Sequence, residues 1–115
     1  MSSNQSKIVI KAEKAPKAIG PYSVGIQLGN LVAGGIEAET RQTLTNLKHI
    51  LEAAGSGLDK VVKTTVFLRD INEFGRMNPV YGEFFTENPP ARTTVQAAAL
   101  PRGGAIEIDI IAYVD

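Results

Sequence analysis

The sequence predicts a single α+β domain, a mostly antiparallel sheet with two helices on one of its faces. One observation is the order of the periodic segments: strand, strand, helix, strand, helix, strand, strand. A second is the length, since 115 residues supply one modest core and leave little for another, so residues 1–115 form one domain. The third is punctuation. Gly29-Asn30, Gly34-Gly35, Gly55, the ENPP of 87–90 and the PRGG of 101–104 all fall between the periodic runs.

Each element has a local reason. Lys7–Lys11 (KIVIK) is a short β-branched run and reads as a strand. A loop with Pro16 and Pro21 follows, then a second strand over Tyr22–Leu28 and a short apolar piece over Leu31–Ala33. Ile36–Ala54 is the clearest helix, because Leu44, Leu47, Leu51 and Ala54 recur at spacings of three and four and make one apolar stripe. Glu37 and Glu39 stand in its first turn, where the helix dipole favours anions, and Gly55 is its stop. Val61–Leu68 (VVKTTVFL) is dense in β-branched residues and is the strongest strand.

Asp70 and Glu73 form an acidic variant of the capping box and open the second helix, whose buried face is Phe74, Met77, Tyr81 and Phe84. Pro79 lies inside it, so a break is expected there, with Asn78 capping a restarted helix through Phe85. Two alternating strands close the chain, Ala91–Leu100 and Ala105–Val114. The 101–104 turn makes them a hairpin. In that register Ala98 faces Glu107 and Gln96 faces Asp109, so the polar residues share one face.

Composition narrows the function. Lys plus Arg and Asp plus Glu number 12 each, so no net basic field for nucleic acid is present, and near-zero charge favours self-association. The chain has no cysteine, which removes disulfides, thiolate nucleophiles and thiolate metal sites. That fits a reducing compartment, the cytoplasm, with the mitochondrial matrix as the alternative. No apolar run reaches membrane-spanning length, and residues 1–6 are polar, unlike a secretory signal. The single histidine, His49, falls off the leucine stripe and reads as a solvated surface residue. Neither a Ser-His-Asp triad nor a histidine metal site can then be built within one chain. No phosphate-loop glycine pattern is present. In the last two strands, Arg92, Thr94 and Gln96, with Glu107 and Asp109, describe either one wet sheet face or an anion site. In the second reading Arg92 is a fork for a carboxylate and Glu107 a proton-transfer group.

Six segments then share an order and spacing that resemble the RidA/YjgF family: 19–23 (IGPYS), 61–70 (VVKTTVFLRD), 78–85 (NPVYGEFF), 90–92 (PAR), 98–101 (AALP) and 106–112 (IEIDIIA). The resemblance implies a chorismate-mutase-like α+β fold and a homotrimer with clefts between subunits. It implies hydrolysis of reactive 2-enamino and 2-imino acids, such as 2-aminoacrylate, to 2-oxo acids and ammonia. No cofactor and no metal are implied. By position, Arg92 matches the arginine that grips the substrate carboxylate and Glu107 the glutamate that positions or activates water. Tyr22 and Asn78 match cleft-lining positions, and Thr94 stands where many members have cysteine. One departure follows Val32. Family members continue there into a strand ending in Ser-Gly-Gln and a proline-containing loop, and resume at a segment like Ala33–Ile36. Here the two ends are joined directly: either the segment is deleted, which would leave sheet edges unpaired and count against activity, or the sequence omits residues that the molecule has. The alternative functions are an endoribonuclease or translation inhibitor of the same family, and a non-catalytic ligand-binding or chaperone-like trimer. Ammonia release from 2-aminoacrylate separates the first reading from these two.

Overall fold

The computed structural model describes Ile26–Gln27 and residues 30–114. The strand expected at Lys7–Lys11, and the Tyr22 end of the next, lie outside the described residues. Two short strands, β1 (Ile26–Gln27) and β2 (Asn30–Leu31), pair antiparallel. Helix α1 (Gly35–Ala53) follows, then β3 (Val61–Leu68), helix α2 (Phe74–Phe84), β4 (Ala91–Gln96) and β5 (Ile106–Ala112).

The α1 stripe behaves as its spacing demands: Leu44, Leu47 and Leu51 are buried, with Ile36 at the helix start. Its end is a left-handed glycine stop. Gly55 has φ 81°, its N–H donates to the Glu52 carbonyl at 3.1 Å, and the Ser56 N–H reaches back to Leu51 at 2.8 Å. Glu39 does more than sit in a helix dipole. It is buried, and its Oε1 accepts the Ala105 N–H at 2.9 Å, which ties α1 to the entrance of β5.

Four expectations are corrected. Pro79 does not break the second helix, which runs unbroken through it. Met77, Val80 and Tyr81, all buried, hold the helix on the core against the lost hydrogen bond. Asp70 caps a 3-10 turn over Ile71–Glu73, accepting the Asn72 N–H at 3.0 Å, and no reciprocal glutamate bond closes a capping box on α2. Glu73 pairs instead with Arg69. His49 is half-buried and engaged with a neighbour, not a solvated surface residue.

The fourth correction matters most. β4 and β5 do not form a hairpin. The three-stranded sheet has the order β4-β3-β5, with β4 parallel to β3 and β5 antiparallel to it. Helix α2 is the crossover that a parallel neighbour requires. It returns the chain to one edge of β3, and β5 then occupies the other. Thr64, Val66 and Leu68 of β3, with Ile106 and Ile108 of β5, are buried under α1 and α2. The alternate residues Lys63, Thr65 and Phe67 point to the opposite face.

Candidate active site

Ladder partners in a sheet share a face, so the register places every candidate side chain. Arg92 pairs with Thr64 and Thr94 with Val66, which puts both on the face the helices cover. Glu107 pairs with Phe67 and Asp109 with Thr65, which puts both on the opposite face. The polar residues therefore do not share one face, and the sheet itself stands between Arg92 and Glu107. They lie two strands apart, roughly 10 Å across and another 10 Å along the ladder, with side chains directed away from each other.

Arg92 is built into its place from three sides. Its Nη1 donates to Oδ1 of Asn78 at 2.7 Å. Its guanidinium carbon lies 4.5 Å from the ring centre of Tyr81 and 5.2 Å from that of Phe74. Phe74, Asn78 and Tyr81 are four and three residues apart on α2, so they form one face of the helix. The Tyr81 ring is itself fixed. Its hydroxyl is 2.7 Å from Thr64 Oγ1, in the strand beside Arg92, and Phe85 packs on it at 4.8 Å between centres. Burial pushes the Tyr81 phenol above its ordinary pKa, although the Thr64 bond and the Arg92 charge pull the other way, so the ring stays neutral.

Arg92 also differs from the other arginines of the helix layer and the turn beside it. Arg41 is paired with Glu83, Arg69 with Glu73 and Arg76 with Glu37. Arg92, half-buried, has a neutral amide and two rings and no carboxylate among the described residues. It opens on a cavity of about 380 Å³, lined also by Asn78, Tyr81, Gly82, Phe85, Pro89 and Pro90. Among the described residues, such walls leave the guanidinium as the cavity's only charge.

Thr94 lies two residues along β4 from Arg92 on the same face, and its hydroxyl is buried with no hydrogen-bond partner among the described residues. An orphaned hydroxyl in this place is a donor waiting for an acceptor. Glu107, half-buried on the far face, has its carboxyl pushed above the ordinary range, first by burial and then by the Asp109 charge. Tyr22 lies outside the described residues. Of the candidate residues, the structure thus brings together Arg92 and Asn78, with Thr94 beside them, and sets Glu107 apart. Sequence reasoning missed Tyr81 and Phe74 as the platform of Arg92. Their spacing with Asn78 was the available signal.

No described helix is long and apolar enough to cross a membrane, and among the described residues no three acidic, histidine or cysteine side chains converge on a metal-sized space.

The Endoribonuclease L-PSP family model matches residues 12–114. A RutC family protein of Pyrococcus horikoshii is 47% identical, over 93% of this chain and 98% of its own length. A 2-iminobutanoate/2-iminopropanoate deaminase of Mus musculus is 46% identical, over 90% of this chain and 89% of its own. Among solved structures, E. coli TdcF with bound serine superposes with a TM-score of 0.87 at 33% identity, covering 95% of this chain and all of that one. The alignments also show a shortfall. The Pyrococcus match spans 123 positions but covers 93% of 115 residues, about 107, so about 16 positions of that relative meet no residue here. The mouse alignment, 120 positions over 90% of the chain, gives about the same difference.

Proposed function

The chain belongs to the Endoribonuclease L-PSP family, the RidA/YjgF family, and from that premise we propose that it hydrolyses reactive 2-enamino and 2-imino acids to 2-oxo acids and ammonia. The observation that carries the reading is Arg92, a half-buried cation with no acidic partner among the described residues, held by Asn78 and the Tyr81 ring beside a small apolar-walled cavity. A planar carboxylate on a small molecule is the ligand that completes it, since the fork matches two carboxylate oxygens at once. The mouse relative carries the deaminase name, and TdcF was solved with serine, a small molecule bearing a carboxylate.

The chemistry then asks for one further group, an acid–base residue at the reacting carbon. Glu107 suits it, because burial and Asp109 raise its carboxyl toward the pH at which it can both give and take a proton. The enamine tautomer gains a proton at C3 and becomes the iminium ion, the protonated imine. Water adds to C2 as the C=N π pair moves to nitrogen, while Glu107 takes a proton from the water. Glu107 returns that proton to the amine nitrogen of the resulting carbinolamine, the C–N bond breaks, ammonia leaves, and the hydroxyl gives its proton to solvent as C2=O forms. No cofactor or metal takes part in this route.

Arg92 and Glu107 face opposite sides of the sheet, so one substrate can meet both only if they come from two chains. That supports a homotrimer with its clefts between subunits. The face that bears Glu107 also presents exposed Val95 and Ile111, which a neighbouring copy would cover. The test is ammonia release from freshly generated 2-aminoacrylate, by wild type and by Arg92→Ala. Catalysis by the wild type and its loss in the variant are expected. Failure of the wild type to accelerate release overturns the reading. RNA cleavage by nuclease-free protein, lost in the same variant, would favour the endoribonuclease alternative.

A further inference from the structure

We propose that Tyr81 is a positioning residue for Arg92: its ring is the platform that fixes the plane of the guanidinium, so that one edge goes to Asn78 and the other is left for the ligand's carboxylate. The inference rests on the reading of Arg92 as a carboxylate clamp and adds to it a residue that does not touch the substrate's reacting atoms.

Three observations carry it. The first is distance: the guanidinium carbon stands 4.5 Å from the Tyr81 ring centre, inside the range where the electron-rich face attracts a cation. The second is that the platform is itself immobilised. The Tyr81 hydroxyl is tied to Thr64, and Thr64 is the ladder partner of Arg92, so ring, strand and guanidinium form one closed loop of contacts. The third is electrostatic. The exposed guanidiniums of Arg41, Arg69 and Arg76 each take a carboxylate, whereas the half-buried Arg92 has none among the described residues, and a carboxylate here would compete with the ligand. Neutral aromatic faces steady the cation without neutralising it. Phe74, at 5.2 Å, adds a second ring.

A tyrosine that merely fills the core would need its hydroxyl satisfied and its ring packed. It would have no bearing on how the site tells a carboxylate from a neutral isostere. The experiment uses that distinction. Dissociation constants of 2-oxobutanoate and of 2-oxobutanamide are measured by calorimetry for wild type, Tyr81→Leu, Tyr81→Phe and Arg92→Ala, with thermal midpoints recorded for each and kinetic constants for the variants that turn over. Tyr81→Leu should weaken the oxo acid on the order of tenfold and leave the amide unchanged, with KM rising more than kcat falls. Tyr81→Phe keeps the ring and loses the Thr64 bond. It should lower the midpoint yet retain the acid-over-amide preference to within about twofold. A Tyr81→Leu protein that folds and discriminates like wild type overturns the proposal. Should Tyr81→Leu fail to fold, fluorinated phenylalanines at position 81 keep the shape and drain the ring face. A preference that does not fall with fluorination overturns the proposal equally. Loss of discrimination in Arg92→Ala separates the two levels. If Arg92→Ala still discriminates, the clamp reading itself has failed. If only the ring variants discriminate, the clamp stands and the platform falls.

Discussion

The two faces of the three-stranded sheet differ in how far one chain completes them. On the covered face, Thr64, Val66, Leu68, Ile106 and Ile108 are buried beneath α1 and α2, and even the polar Glu39 has its partner. On the other face, Val95 and Ile111 stay exposed between Lys63, Thr93, Glu107 and Asp109. Burial is therefore concentrated on the side of Arg92, while the side of Glu107 keeps exposed apolar side chains that the proposed trimer would cover. On that proposal, dividing a site between a closed face and an open one makes assembly a condition of chemistry.

The sharpest way to break this comparison is to disable each face separately. Arg92→Ala and Glu107→Ala should each abolish deamination while the fold survives. Co-refolded in equal amounts, they should regain about a quarter of wild-type activity. A cleft works when its arginine comes from one variant and its glutamate from the other, each with a chance of one half. No recovery in trimers whose mixing is verified by mass would place both residues in a single-chain site.

A second pair of changes tests where stability resides. Leu44→Ala opens a cavity beneath the covered face and should lower unfolding free energy by about 2–5 kcal/mol in urea. Ile111→Ser on the open face leaves no cavity within the chain. It should instead shift the mass seen by light scattering at micromolar concentration from three chains toward one. An intact trimer in Ile111→Ser would remove that face from the interface. A third change refines the clamp. Arg92→Lys keeps the charge and loses the fork, so 2-oxobutanoate binding by calorimetry should weaken by about 1.5–3 kcal/mol. Equal affinity would argue for a point charge in place of a planar pair.

What was legible in the sequence follows the range of the interactions. The Leu44, Leu47 and Leu51 stripe and the β-branched run of β3 are local patterns, and both elements stand where those patterns put them. Strand pairing is not local. Alternation in β4 and β5 says that each has two faces but not which strand lies beside which, and the short turn at 101–104 suggested a partnership that the α2 crossover overrules. Glu39 looked like an ordinary first-turn acid, because nothing in its neighbourhood announces a partner 66 residues away. Within the site, Arg92 was readable from strand alternation as one of two alternatives, a wet sheet face or an anion site, and Asn78 only through the resemblance. The platform was readable from Phe74, Asn78 and Tyr81 on one helix face, yet three apolar or amide positions at helical spacing describe a core face equally well.

The smallest expected effect concerns Glu107 and carries the comparison to the level of protons. Its carboxyl is held above the ordinary value of 4.5, first by burial and then by Asp109 on the same face. An acid with a raised folded pKa binds its proton more tightly folded than unfolded. It therefore costs no stability while protonated in both states, below the ordinary value. The cost grows as pH rises through the raised folded value, and is complete above it. Glutamine has nearly the same shape and no charge to desolvate. Urea midpoints of Glu107→Gln and wild type should thus coincide near pH 4 and separate in favour of the variant by pH 8, with activity lost at every pH. Asp109→Asn removes only the second cause, so it should close part of that gap and leave the part due to burial. Stabilisation of the wild type over Glu107→Gln at pH 8 would mean that the assembled cleft supplies Glu107 with a cation from a neighbouring chain. The open face would then be completed by charge pairing, and a general acid–base role for Glu107 near neutrality would have to be given up.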